Sequence, residues 1–505
     1  MNVQARGAIG AIFFLSSTDV STAVNRSISF PEPIWIGENA LQHGTVARLL
    51  GDPLTPGYPS HGGLHRLSVQ DSGLPSIPAQ PINECDARDI FRFMTEVACP
   101  EQWDPNLNVP CGLVLESGTT LGITTHNDIT VSTVENVIGM WRGNIEPDRL
   151  VVLGARVSRT VTNPNLQNQW FPVSQLLQQT IAFRALRLMG WSPRRSLAFV
   201  LWQSDEHGAQ GSAEWVEDRA GLLRKGGVLY VDNSRVTGSL FEPHASPGLS
   251  SSLREVANLV HPDGREKTLK STWQSRPHTL KDINGEAMAL PVTGHSDDGP
   301  FAFAAGMPTL AVSFSDPARP YGMWPAHRMV STNSTELTSA LRTATQVGAL
   351  MARMWADREV LPYAPAEMAW WLTDALERFE RRHADTLRNR GLSIESAKRL
   401  AKTFHKAAES FMHYVAEAPR ANPLITCMIN DIMTSMEKVF TIPGGVPTRH
   451  ITHRNILYSP EGIPFPGLED VLRLSPVNKA AFRNHLALLM ESIIQATELM
   501  TVTPF

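Results

Sequence analysis

Six residues, Gln203-Ser-Asp-Glu-His-Gly208, set two carboxylates beside an imidazole directly after the apolar run Ser196-Leu-Ala-Phe-Val-Leu-Trp202. A short apolar run bounded by polar turns reads as a buried strand. Ligands of open α/β sheets gather at the carboxyl ends of such strands. Asp205 and Glu206 are therefore candidates to hold a cation or to take a proton from water, and an active site is expected at this strand end.

The elements that would position these groups surround them. Residues 136–143, Leu150-Val-Val-Leu-Gly154, residues 196–202 and Gly227-Val-Leu-Tyr-Val231 read as strands, with a turn at Glu146-Pro-Asp-Arg149. Residues 172–189 space their apolar side chains at three and four and stop at Gly190, as a helix does. Strands alternating with helices predict an α/β domain with a mostly parallel sheet. It continues through a helix over 249–260, a loop Thr293-Gly-His-Ser-Asp-Asp-Gly299, a strand over 309–314 and a helix over 336–357. Before it, residues 1–125 carry β-type runs such as 9–15, broken by turn chemistry like Gly51-Asp-Pro-Leu-Thr-Pro-Gly-Tyr-Pro-Ser60. After it, residues 366–390, 393–418, 422–440 and 478–500 have the pattern of long amphipathic helices in a bundle. Three units are expected: 1–125, 126–360 and 361–505.

Composition narrows the function classes. With 505 residues, 42% of them hydrophobic, and a net charge of −4, the chain has material for several cores and no basic footprint for nucleic acid. Its four cysteines, Cys85, Cys99, Cys111 and Cys427, match neither a disulfide framework nor paired metal knuckles and are expected to be buried or unpaired thiols. Two acceptor sequons, at Asn25 and Asn333, weigh toward an exocytic location. No apolar run reaches the ~20 residues that span a bilayer. Residues 1–17 imitate a signal peptide, but they read better as an internal strand.

The residues also carry a resemblance. "EPDRLVVLGA" followed by "GWSPRRSLAFVLWQSDEHGAQGSAEW", with "GDPLTPGYPS" and "GLPSIPAQPI" upstream, is similar to the transferrin receptor and glutamate carboxypeptidase family, relatives of the co-catalytic zinc aminopeptidases. "NPLITCMINDIMTSMEKVF" and "FRNHLALLMESIIQATELM" resemble that family's C-terminal dimerisation domain. The resemblance implies a zinc-peptidase-like mixed sheet flanked by helices, a β-rich protease-associated (apical) domain and a C-terminal helical bundle. It also implies a homodimer. Members are anchored by an N-terminal helix followed by a first piece of the peptidase-like domain, so the resemblance implies a full-length protein that is membrane-associated at the cell surface or in the exocytic pathway. Neither part has a counterpart here, and this chain is expected to be N-terminally truncated or to derive from an incomplete gene model.

The resemblance further implies two zinc ions, bridged by a carboxylate, with a separate Glu as base. Residue by residue the set is incomplete. The first His is Arg156, a permanent cation, and the Asp that would orient it is Ser158. The bridging Asp falls on Leu166 by direct counting, or on Asn163 or Asn168 with a gap, and none is a carboxylate. The base position is Asp205 and the ligand beside it is Glu206. The next Asp aligns with Asn233, with Asp232 adjacent, and the late His is His327. Two readings remain open, a single metal on Glu206, His327 and Asp232, or a polar former site, and the missing bridge favours the second. His207 and His295 read as solvated or core histidines. Where glutamate carboxypeptidase grips acidic peptides with arginines, this chain has Ala311 and Ser313.

A second metal position is better kept. The resemblance implies a structural calcium held by carbonyls of Thr55 and Tyr58 and by Glu214 and Glu217, whose i, i+3 spacing puts both carboxylates on one helical face. The function expected is a non-catalytic, receptor-like or scaffold homologue with an unknown protein or peptide ligand. A diverged zinc metallopeptidase is the alternative, and an adaptor retaining only the dimer surface is a third. Calcium is expected as a cofactor and zinc is not.

Overall fold

Leu150-Val-Val-Leu-Gly-Ala155 has no polar side chain, a pattern suited to a strand covered on both faces. In the computed structural model it forms the centre of β6 (Glu146–Val157), and every one of its six residues is buried. The structure describes residues 3–14, 39, 41, 46, 49–100, 103, 107–157, 166–203, 208–236, 238–264, 266–277, 279–294, 296–315, 335–419, 422–474 and 476–501.

Around β6 lie β5 (Val137–Trp141), β7 (Arg195–Gln203), β8 (Gly227–Asp232), β10 (His244–Ala245) and β11 (Thr309–Ala311), in the order β10-β11-β8-β6-β7-β5. The inner four are parallel, and β10 and β5 run antiparallel at the two edges. The sheet is mixed and mostly parallel, as its apolar runs predict. The strand expected over 309–314 divides. Its second part joins β12 (Phe314–Ser315), which pairs with β9 (Leu240–Phe241) in a separate two-stranded sheet.

Helix α2 (Leu166–Leu188) crosses from β6 to β7. It starts six residues before the expected position and carries Pro172 inside it. Its inner face is partly polar: Gln175 and Gln179 are fully buried and bond to Asn233 at the end of β8. At Gly154 a Cβ would lie 2.2 Å from the Tyr230 hydroxyl and 2.4 Å from Trp202 Nε1, so only glycine lets those two side chains meet over β6. Trp202 Nε1 donates to the Tyr230 hydroxyl at 3.1 Å.

Helix α3 (Gln210–Asp218) and α4 (Ala220–Gly226) link β7 to β8, while α5 (Ser250–Leu259), α6 (Leu269–Gln274) and α7 (Thr335–Asp357) complete the α/β layers. The C-terminal region is helical: α8 (Pro365–Arg382), α9 (Ala384–Arg390), α10 (Glu395–Glu417), α11 (Pro423–Ser435), α12 (Pro466–Leu472) and α13 (Lys479–Thr501). The helix expected over 366–390 breaks at His383, whose φ of −108° and ψ of 16° leave the helical range. The apolar faces of α8, α10 and α13 share one core with the inner side of the sheet. No helix among the described residues is long and apolar enough to cross a membrane.

The N-terminal part contains a parallel pair, β1 (Ala11–Phe13) with β2 (Ala79–Pro81), helix α1 (Glu84–Arg92), and an antiparallel pair, β3 (Glu96–Ala98) with β4 (Gly112–Val114). Here one expectation is corrected. Cys99 and Cys111 form a disulfide with Cα atoms 5.5 Å apart, while Cys427 is an exposed free thiol and Cys85 is not part of a disulfide. The β3–β4 pairing brings Ala98 opposite Gly112, which places the neighbouring cysteines together across a 12-residue separation.

Candidate functional site

The carboxyl end of β8 delivers Asp232 into a fully buried pocket. One of its oxygens accepts from the Ser234 amide at 3.0 Å, and the other makes no hydrogen bond. Facing it is Arg235, whose Nε lies 3.7 Å from Asp232 Oδ2. The same guanidinium donates to Asp298 Oδ1 at 2.8 Å and to Thr293 Oγ1 at 3.1 Å. Asp298 Oδ1 also accepts from the Ser296 amide at 3.0 Å. Beside it, Asp297 Oδ1 accepts from the hydroxyl of Ser212 on α3 at 2.8 Å.

Asp232, Asp297 and Asp298 are all fully buried. Burial, and then the charge of Asp298, push the Asp232 carboxyl well above the usual carboxylate range, while Arg235 opposes the shift. One guanidinium, Arg235, thus holds Asp232 and Asp298, while Asp297 beside them is held by Ser212. Asp297, Asp298 and Arg235 were not singled out from sequence. The visible signal was two adjacent Asp residues between Gly294 and Gly299, and nothing in the spacing connects them to a strand end more than sixty residues earlier.

Of the residues matched to the zinc pattern, the structure places Arg156, Asp232 and Asn233 on neighbouring strand ends, with Gly154 in register with Asp232. The Arg156 amide donates to the Ser234 hydroxyl at 3.1 Å, and its Nε is buried without a hydrogen bond. Asn233 does not share the acidic pocket's bonds. Its Nδ2 donates to the Gly154 carbonyl and to Gln179 Oε1, both at 3.1 Å, and its Oδ1 accepts from Gln179 Nε2 at 2.8 Å. Ala311 and Ser313 are buried and offer no cation to an acidic substrate. Asp205, Glu206, His207, His295, His327, Ser158 and Asn163 lie outside the described residues, as do the side chains of Leu166 and Asn168. Among the described residues, no three His, Cys, Asp or Glu side chains form a group that would hold a metal ion.

The other candidate is brought together. Glu214 and Glu217 on α3 face the loop that starts at Gly51. Glu214 Oε1 accepts from the Asp52 amide and its Oε2 from the Ser60 amide, both at 2.6 Å. Glu217 Oε1 accepts from the Gly57 amide at 2.9 Å. Gly51 has φ +75°, and a Cβ there would lie 2.8 Å from Glu214 Oε1, so the loop can approach the carboxylate only as glycine. Thr55 is buried, and Tyr58 donates its amide to the Thr55 carbonyl at 3.3 Å.

This cradle fits a hard cation. Glu217 Oε2 and Thr55 Oγ1 are buried without hydrogen-bond partners. Burial, and then the neighbouring Glu214 charge, push the Glu217 carboxyl up to about 8, and burial raises Glu214 as well. The loop meets the two carboxylates with the amides of Asp52, Gly57 and Ser60, and the buried oxygens left without a hydrogen bond, Glu217 Oε2 and Thr55 Oγ1, are hard donors of the kind calcium prefers.

The chain is similar to several known proteins. The transferrin receptor-like dimerisation domain matches residues 391–501. A glutamate carboxypeptidase 2 homolog of Caenorhabditis elegans is 26% identical over 502 residues, covering 90% of this chain and 64% of the relative. Transferrin receptor protein 2 of Homo sapiens is 27% identical over 467 residues, covering 89% of this chain and 56% of the relative. The chain therefore spans less than two thirds of the length of these relatives. Among solved structures, the zinc aminopeptidase BSAP of Bacillus subtilis aligns with 42% of this chain and 48% of its own at 17% identity and a TM-score of 0.31.

Proposed function

We propose that this relative of the glutamate carboxypeptidases and transferrin receptors is a catalytically silent, receptor-like or scaffold homologue. The observation that carries the reading is Arg235. A carboxylate able to ligate zinc, Asp232, already faces a guanidinium that is anchored on Asp298. A second fixed cation, Arg156, ends the adjacent strand where the family pattern has a histidine ligand. Positive charges in these places oppose a dication and supply none of its water-activating chemistry. Asn233 offers no carboxylate, and its amide is engaged by Gln179 and Gly154.

A structural calcium at Thr55, Tyr58, Glu214 and Glu217 belongs to the same proposal. So does homodimerisation through the region after Leu361, supported by the matched dimerisation domain. Membrane attachment of the full-length protein rests on the resemblance alone, while its placement at the cell surface or in the exocytic pathway is supported by the Cys99–Cys111 disulfide, because disulfides persist in oxidising compartments. The ligand is a protein or peptide of unknown identity.

The alternative is a diverged zinc peptidase, favoured by the fully buried Asp232 oxygen that makes no hydrogen bond. One experiment separates the two: the protein is loaded with zinc, its metal content is measured, and it is incubated with libraries of amino- and carboxypeptidase substrates. The silent reading expects no turnover. Turnover abolished by both Glu206→Ala and His327→Ala would establish the alternative.

A further inference from the structure

Helix α2 has a second apolar face that nothing among the described residues covers. Trp170, Leu177, Ile181 and Leu188 are 62%, 58%, 57% and 80% exposed. They recur at intervals of seven, four and seven residues. At 3.6 residues per turn this places all four within a sector of about 40°, opposite the buried Gln175, Gln179 and Phe183. A seam that narrow, with heptad spacing, fits one partner helix. A bilayer surface would call for a wider apolar face with a basic border.

We infer that this seam pairs with α2 of a second copy of the chain, antiparallel, about a twofold axis near Gln179. The spacing is self-complementary under that operation. Leu177 meets Ile181 of the partner subunit, and Trp170 meets Leu188 of the partner subunit. The two remaining seam positions also match, because Ser174 meets Arg184 of the partner subunit. Helix α2 contains no acidic residue, and Arg184 makes no ion pair among the described residues. An antiparallel arrangement keeps the two Arg184 guanidinia ten residues, or about 15 Å, apart along the axis, so like charges do not meet.

The area sets the strength. A fully exposed Leu, Ile or Val side chain presents roughly 60–120 Å² of apolar surface. Four partly exposed side chains thus give on the order of 250 Å², below the ~800 Å² per partner of a standard interface. The contact is weak. It adds to association through residues 391–501, which present a different surface, and would join dimers into larger assemblies.

The test is sedimentation velocity of the whole chain from about 1 to about 100 µM, for wild type, Leu177→Glu/Ile181→Glu and Ser174→Glu. Wild type should show a concentration-dependent association step. Leu177→Glu/Ile181→Glu should weaken it about tenfold or more, and Ser174→Glu should strengthen it by pairing with Arg184 of the partner subunit. Because both replaced residues are exposed, thermal unfolding should be unchanged. In a Cys427→Ser background, Ser174→Cys/Arg184→Cys should cross-link between copies while Ser174→Cys alone should not. Identical sedimentation of wild type and Leu177→Glu/Ile181→Glu would overturn the inference, as would equal cross-linking by the single and double cysteine variants. Binding to phosphatidylserine vesicles that Leu177→Glu/Ile181→Glu removes, without change in self-association, would overturn it in favour of a lipid surface.

Discussion

Asn233 and Gln179 exchange two hydrogen bonds in the interior, at 2.8 and 3.1 Å, and so lock the end of β8 to α2. A carboxylate at position 233 would meet the carbonyl oxygens of Gly154 and Gln179 where Asn233 now donates. Asn233→Asp, which restores the acid of the zinc pattern, is therefore expected to destabilise the protein by about 2–4 kcal/mol and to restore neither zinc binding nor hydrolysis. Thermal unfolding and metal content measured on the same sample check both halves. A stable variant that retains zinc through dialysis would show that position 233 is still a ligand site.

This pair also marks where sequence reading stops. The strands around Leu150–Ala155, 196–202 and 227–231 were legible because uninterrupted apolar runs between turn residues have one economical explanation, a sheet covered on both faces. Glu214 and Glu217 were legible only through the resemblance, which matches them together with Thr55 and Tyr58, because i, i+3 spacing alone describes any solvated helix face. Arg235, Asp297 and Asp298 were not, because their relation is purely tertiary: the guanidinium and the Asp298 carboxylate lie on separate loops and meet only after β8 and the 293–299 loop pack. The Cys99–Cys111 bond was missed for the same reason, since its partners are paired by the register of two three-residue strands that sequence alone does not reveal.

A pH dependence is expected from Glu437. This fully buried carboxyl accepts from the Tyr363 hydroxyl at 2.8 Å and from the Tyr458 hydroxyl at 3.0 Å, with Ser246 as a third hydroxyl neighbour. Burial pushes it up to about 7, against the hydroxyl bonds that favour the charge. An acid raised in the folded state binds its proton more tightly there, so folding loses stability as pH rises from the ordinary value of 4.5 through about 7. Glu437→Gln should thus stabilise at pH 8 relative to its own effect at pH 5, by on the order of 2–3 kcal/mol. Unfolding of both proteins at the two pH values checks this. An effect equal at both would show that Glu437 does not carry the dependence.

Calcium should raise the melting temperature. A cation that binds only the folded state contributes about 2.7 kcal/mol at a hundredfold excess over Kd. Glu214→Gln and Glu217→Gln should each remove the calcium response. Without calcium Glu217→Gln should raise the melting temperature by relieving the buried pair of a charge, whereas Glu214→Gln should not, because an amide NH2 would replace an oxygen that accepts from the Asp52 or Ser60 amide. If chelation leaves the wild-type melting temperature unchanged, the cradle at Thr55, Tyr58, Glu214 and Glu217 is not a calcium site.

The joint between the sheet and the C-terminal helices should be the most sensitive part of the fold to a single substitution. Arg195, fully buried at the start of β7, donates from Nε to Glu146 Oε2 at 2.8 Å. Its Nη1 donates to the carbonyls of Trp355 and Arg358 at 3.0 and 2.6 Å, and its Nη2 to that of Glu359 at 3.0 Å, closing the end of α7. The Glu359 carbonyl also accepts from Asn430 on α11 at 2.9 Å, so one guanidinium connects the sheet, α7 and the C-terminal region. Arg195→Ala leaves the Glu146 carboxylate and three carbonyls short of donors and should cost about 3–5 kcal/mol. Arg195→Lys keeps the charge but loses the fork and should recover only part of it. Because a chain of this size need not unfold in one step, the readout is the midpoint of the transition that exposes the sheet, followed by hydrogen exchange of the β6 and β7 amides. A lysine variant indistinguishable from wild type would mean that charge alone, and not the forked geometry, holds the joint.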